Sequence, residues 1–212
     1  MSLFILPSLS LVSEIFVVFA LVYVRKKLRP EMRTLGAYFV FCLMAGLLEI
    51  LLASKGINNL WIFHYFTPVQ YALLTYVFYS WNRESSMEQL IFYSIPVFVA
   101  SWFLGSFWLA NPADTFAYAY PISAALLVLV SSYTLLRIER LERSSMLDIP
   151  EFWVSSGTLI YFGGTIVFSS LSVPLLHTSI ETMRLAWSTQ AVANIVANVL
   201  YAGGFLCLLR KT

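Results

Sequence analysis

The sequence predicts an all-α polytopic membrane protein of seven transmembrane helices, N-terminus outside and C-terminus cytoplasmic. Three observations carry that prediction. The 212 residues are 59% hydrophobic and only 11% charged, with a mean hydropathy of +0.78, whereas soluble domains carry about 25% charged residues. Seven apolar segments can be marked, each long enough for a hydrocarbon core that about 20 residues span. Their connections alternate in charge, and that alternation sets the topology.

The segments run over about 3–24, 35–54, 60–81, 89–110, 118–137, 152–173 and 186–209, forming one transmembrane domain over 1–212. Arg25, Lys26, Lys27, Arg29 and Arg33 follow the first, and Arg83 follows the third. Arg137, Arg140 and Arg143 follow the fifth, and Arg210 and Lys211 follow the seventh. Eleven of the thirteen Lys and Arg thus fall on one side, leaving Lys55 and Arg184 on the other. Cytoplasmic loops hold the excess of basic residues, which places the N-terminus out and the C-terminus in. The first apolar run lacks a preceding basic region and is too long for a cleaved signal peptide, so an uncleaved helix is expected. Trp61, Trp81, Trp108, Trp153 and Trp187 lie near segment ends, where indole rings favour the headgroup layer. Pro68, Pro96 and Pro121 fall within the third, fourth and fifth segments and are expected to kink or shape them. Gly163-Gly164 and Gly203-Gly204 are expected to let helices approach closely. Cys42 and Cys207 read as small buried hydrophobes.

Polar residues inside these segments need an explanation, because amide or carboxyl groups facing lipid are costly. Gln190, Asn194 and Asn198 recur at every fourth residue of the seventh segment and form one helical face, with Trp187 and Tyr201 beyond its ends. His64, Thr67, Tyr71 and Thr75 share a face of the third; Thr158, Tyr161, Thr165, Ser169 and Ser172 share one of the sixth. Glu14 lies mid-segment in the first, with Ser10 one turn earlier. Glu49 and His64 lie near the outer ends of neighbouring segments, so a Glu49–His64 pair is expected if the two faces meet. An outward-opening pocket lined by Glu49, His64, Tyr71, Trp187, Gln190 and Asn194 follows, with Glu14 and Asn198 deeper. Ordinary helix–helix contacts explain each stripe equally well when it is taken alone. Glu49 and His64 could also join His177 and Glu181 of the last outer loop around zinc. No recognised ligand signature supports that quartet, so solvated side chains are expected at His177 and Glu181 and no metal or cofactor is assigned.

Short loops leave no room for a soluble domain: the longest inner one is 138–150 and the longest outer one 174–185. A retinal Schiff base needs a buried lysine, and Lys26, Lys27, Lys55 and Lys211 all lie outside the apolar segments. Seven-helix zinc hydrolases of the ceramidase and adiponectin-receptor type use three His, and only His64 and His177 exist here. No G-x-S-x-G, H-E-x-x-H or phosphate-loop sequence appears. Pro68 and Gln70 are separated by Val69, unlike the adjacent pair of PQ-loop carriers. No basic stripe with interleaved aromatics points to nucleic acid. The expectation is a receptor-like or sensory protein of the bacterial inner membrane. It would bind a small or lipidic ligand and signal through a separate protein. A small-solute carrier is the alternative, proton-coupled through Glu14, and an intramembrane enzyme comes third.

The sixth and seventh segments, FWVSSGTLIYFGGTIVFS and WSTQAVANIVANVLYAGGF, resemble the end of a group of uncharacterised bacterial seven-helix membrane proteins. Phe152, Trp153, Tyr161, Gly164, Trp187, Asn194, Asn198 and Gly204 carry the resemblance, which covers the last third of the chain. Related segments occur beside or fused to sensor kinases. The resemblance therefore implies a sensory context and carries over no catalytic residue.

Overall fold

The computed structural model describes residues 5–108, 112–141, 145–175 and 180–209, with side chains over 9–59, 61–108, 118–140, 145–166 and 188–209. Among these residues there are seven α-helices and no strand. They are α1 (Ile5–Tyr23), α2 (Pro30–Ser54), α3 (Leu60–Trp81), α4 (Glu88–Trp108), α5 (Pro112–Leu141), α6 (Pro150–Leu175) and α7 (Ile180–Cys207). One-turn 3-10 segments, Arg25–Lys27 and Met146–Asp148, precede α2 and α6.

Helix ends depart from the hydropathy boundaries for a local reason. α2, α5 and α6 each begin on a proline, whose fixed φ and missing N–H suit the first helical position. The charged first turn of α2, with Glu31 and Arg33, is therefore helical although it is not apolar. At the other end of α2 the left-handed Gly56 (φ 67°) closes the helix. Gly56 N–H donates to Ala53 O and Ile57 N–H to Leu52 O, both at 3.0 Å, a pairing that satisfies terminal carbonyls. α3, α4 and α5 run through Pro68, Pro96 and Pro121.

Among the described residues four stretches are long and apolar enough to cross a membrane: Pro30–Ser54, Glu88–Trp108, Tyr118–Arg140 and Ser188–Cys207; Leu9–Tyr23 is a shorter apolar helix. The distribution of side chains agrees. Thr67, Gln70, Thr75, Asn82, Ser131, Thr134 and Thr158 are buried, while Leu90 is 67% and Phe107 71% exposed. Polar groups inside and large apolar groups outside is the arrangement that lipid imposes.

The helices close a ring in the order α1–α2–α3–α5–α6–α7, with α7 returning to α1. α6 against α7 is the largest interface, and α4 sits outside the ring, packed on α3 and only lightly on α5. Phe39 of α2 meets Tyr201 and Phe205 of α7 edge-on, at 4.8 and 6.3 Å between centroids, which fills the space between them. The glycine pairs behave unequally. A Cβ at Gly164 would stand 3.1 Å from Ala193 Cβ and one at Gly204 2.9 Å from Val154 Cγ2, so these two do bring α6 and α7 together. Gly203 of α7 also meets α6, at the Trp153 ring (3.0 Å), whereas Gly163 has nothing within 4 Å.

The basic end of α3 is held by α5. Arg137 donates from Nη1 to Trp81 O (2.7 Å) and from Nη2 to Arg83 O (3.2 Å), and Asn82 Nδ2 donates to Thr134 Oγ1 (2.8 Å). A cation on the last carbonyls of a helix satisfies orphan acceptors and complements the helix dipole. Arg137→Met is expected to cost about 2 kcal/mol of stability, since hydrogen bonds to charged groups contribute about 1.5–3 kcal/mol. Arg140→Met, at an exposed position one turn on, should leave the melting temperature in detergent unchanged.

Candidate ligand site

The amide row of α7 divides between two neighbours. Asn194 Nδ2 donates to Ser10 Oγ (2.7 Å) and Glu14 Oε1 (3.3 Å) of α1. Asn198 Nδ2 donates to Ser13 Oγ (2.8 Å), and Ser13 in turn donates to Ser10 O (2.6 Å). Gln190, one turn earlier, turns to α6, where its Nε2 donates to Thr165 Oγ1 (2.7 Å). The face predicted from spacing carries these side-chain bonds, which stitch it into two helix contacts, to α1 and to α6. Glu14 also reaches toward α2: its Oε2 lies 3.8 Å from where a Gly46 Cβ would stand. Glu49 follows Gly46 by three residues, on the same face of α2. Both carboxyls thus belong to the α1–α2 side of the ring.

Four tyrosines extend this polar interior, and sequence reading assigned three of them no partner-bearing role. Tyr38 OH accepts from Gln70 Nε2 at 2.9 Å, Tyr201 OH lies 3.0 Å from Thr158 Oγ1, and Tyr120 OH lies 3.5 Å from Tyr161 OH. Tyr38 and Tyr120 sit in apolar runs where a phenol reads as one more hydrophobe, whereas Tyr161 and Tyr201 stood in line with stripes that spacing could find.

His64 and Tyr71 belong to a separate corner, between α3 and α4. His64 is buried, its Nε2 lies 3.4 Å from Ser106 Oγ, and its ring packs on Trp102 at 4.9 Å between centroids. Tyr71 donates to Ser94 Oγ (2.8 Å) and packs on Phe98 at 4.3 Å. Glu49 and His64 are not joined by a hydrogen bond or ion pair: His64 turns to α4. Their segments are neighbours as expected, but facing positions on adjacent helices cannot be read from depth alone. His64 Nδ1 and Trp102 Nε1 are buried without a hydrogen-bond partner.

The other sides of Ser94, Phe98 and Trp102 wall a groove of about 480 Å³ between α4 and α5. Leu90, Val97, Ser101 and Gly105 continue it along α4, and Tyr118 and Ile122 of α5 face them. It is almost wholly apolar. At 1.5 Å per residue the stretch from Leu90 to Gly105 is about 22 Å long. Two of the predicted site residues, Tyr71 and His64, thus back this wall, while Glu14, Asn194 and Asn198 lie in the α1–α7 contact and Gln190 in the α6–α7 contact. Among the described residues no three His, Cys, Asp or Glu side chains cluster as metal ligands. His177 lies outside the described residues, and Glu181 and Trp187 lie on α7 outside the described side chains. Comparison of the chain with protein-family models, with curated proteins and with solved structures returns no match.

Proposed function

We propose that this chain is a receptor-like sensor of a long-chain lipidic ligand, set in the bacterial inner membrane. On this reading it crosses seven times with its N-terminus out and its C-terminus in, which the charge of its loops supports. The observation that carries the ligand class is the α4–α5 groove: its volume falls in the range of ligand sites, about 300–1,000 Å³, and its walls offer a chain-shaped apolar surface with hydroxyls at Ser94 and Ser101. α4 is the helix least tied to the ring, so a ligand that wedges it from α5 has an element to move. Tyr71 and His64, bonded or stacked to the groove wall, pass such a shift to α3. The signal leaves through a separate protein at the loops 25–34 and 138–150, in keeping with the sensor-kinase context the last two segments suggest.

A photoactivatable C16 fatty acid tests this reading. Cross-links are expected on α4 and α5, and Ser101→Trp, which fills the groove, should reduce labelling about tenfold, near the 1.4 kcal/mol per decade that a lost apolar contact supplies. Labelling unchanged in Ser101→Trp, or confined to α1 and α7, would overturn it. A proton-coupled carrier is the second reading, favoured by a carboxyl within α1, Glu14, bonded to the α7 amide Asn194. Solute-driven proton flux in vesicles, lost in Glu14→Gln, would decide for it.

A further inference from the structure

A second groove, of about 490 Å³, lies at the basic end of the bundle, where α1 turns toward α2. Its construction differs from that of the α4–α5 groove. Phe19 and Val22 of α1 and Leu209, just past the end of α7, form an apolar floor, and Arg25, Lys26 and Lys27 stand around its mouth. Among the described residues no acidic side chain lines it. The three basic side chains are consecutive and exposed, and a 3-10 turn presents them around a single tight bend. That bend is fixed in place. Val24 is 1% exposed and buried in the core, its N–H donates to Ala20 O (3.1 Å), and Lys27 N–H donates to Val24 O (2.8 Å).

We infer that this groove holds an anionic phospholipid of the surrounding bilayer, its phosphate among Arg25, Lys26 and Lys27 and one acyl chain against Phe19 and Val22. Charge complementarity selects the headgroup: basic pockets beside membrane helices attract anionic lipids. The floor selects a lipid over a soluble anion, because inorganic phosphate would leave the apolar side uncovered. It also disfavours an acidic peptide, because Phe19 and Val22 lie on the exposed apolar face of α1, where lipid is the neighbour. In the topology proposed above this is the cytoplasmic leaflet. The inference requires membrane insertion only and stands apart from the α4–α5 ligand.

Native mass spectrometry of the full-length protein, exchanged into detergent with equimolar phosphatidylglycerol and phosphatidylcholine of matched chains, tests it. The wild type is expected to retain phosphatidylglycerol at least tenfold over phosphatidylcholine, and Lys26→Gln should lower that preference about fivefold, the effect of one basic residue near an anionic surface. The triple change Arg25→Gln, Lys26→Gln, Lys27→Gln should abolish the preference. Those changes could disturb insertion, so Val22→Trp is the second arm: it fills the floor, keeps every charge, and should reduce phosphatidylglycerol retention fivefold or more. No preference in the wild type, retention unaltered by Val22→Trp, or displacement by 10-mM-scale (about tenfold excess) inorganic phosphate would each overturn the inference. The last two outcomes would mean surface attraction only and a free-anion site, respectively.

Discussion

Gly157→Leu is expected to be the most damaging single change in the bundle. A Cβ at Gly157 of α6 would stand 3.1 Å from the backbone oxygen of Ala197, 3.3 Å from Tyr201 Cε1 and 3.4 Å from Leu200 Cβ, all on α7. The first of these is main chain and cannot rotate away. A leucine there must push α6 and α7 apart at the largest interface in the molecule. The separation stretches Thr158–Tyr201 (3.0 Å) and Gln190–Thr165 (2.7 Å), which cross the same seam. Overpacking costs about 1–3 kcal/mol, and each interhelical hydrogen bond in a membrane adds about 0.6 kcal/mol. A total of about 2–4 kcal/mol is a large share of the 5–15 kcal/mol that holds a typical domain folded. Gly157→Ala should lose about 1 kcal/mol, the low end of the same overpacking range. Gly163→Leu, into open space, should stay within about 0.5 kcal/mol of the parent. Melting in detergent orders the three variants, and a Gly157→Leu protein as stable as the parent would contradict the α6–α7 packing described above.

That contrast shows what sequence could and could not deliver. The Gly163-Gly164 pair draws the eye as a close-packing signal, yet Gly164 alone meets α7, and isolated Gly157, one heptad earlier, is the tighter contact. Helix count was legible because apolar runs are long and their loops carry sorted charge. Helix ends were less so, since Pro30, Pro112 and Pro150 start helices whose first turns are too polar for a hydropathy boundary. Face was legible too: Asn194 and Asn198 point inward, and His64 and Tyr71 are buried. Partner was not. Spacing says that Gln190 shares a side of α7 with Asn194, but the curvature of the ring sends one to α6 and the other to α1. Arg137 counted only as a topology charge, because the carbonyls it satisfies lie more than 50 positions away in the chain.

Asn194→Leu carries the second large effect, because it removes a donor and leaves a carboxyl behind. Ser10 Oγ loses the 2.7 Å bond and Glu14 Oε1 the 3.3 Å one, both in the α1–α7 contact. The serine has an alternative in its own helix and costs little, on the order of the 0.6 kcal/mol typical of membrane hydrogen bonds. The carboxyl has no such outlet: an acidic side chain at an apolar helix centre costs about 2.5–3.5 kcal/mol when nothing offsets it. The sum, about 3–4 kcal/mol, should appear as a lower melting temperature with insertion intact. The physical content is in the rescue. Replacing both partners of a buried polar pair with apolar groups is close to neutral, whereas replacing one is not. Glu14→Leu in the Asn194→Leu background should therefore recover most of the loss. Glu14→Gln alone, which keeps an acceptor for Asn194, should cost under about 1 kcal/mol. A double variant no more stable than Asn194→Leu would show that Glu14 is held by something other than the α7 amide, with Glu49 across Gly46 the next group to test. If the double variant is rescued in stability and still binds the fatty-acid probe, the polar seam holds α1 in the ring and the ligand lies at α4. Rescue with loss of binding would instead return the ligand to the seam between α1 and α7.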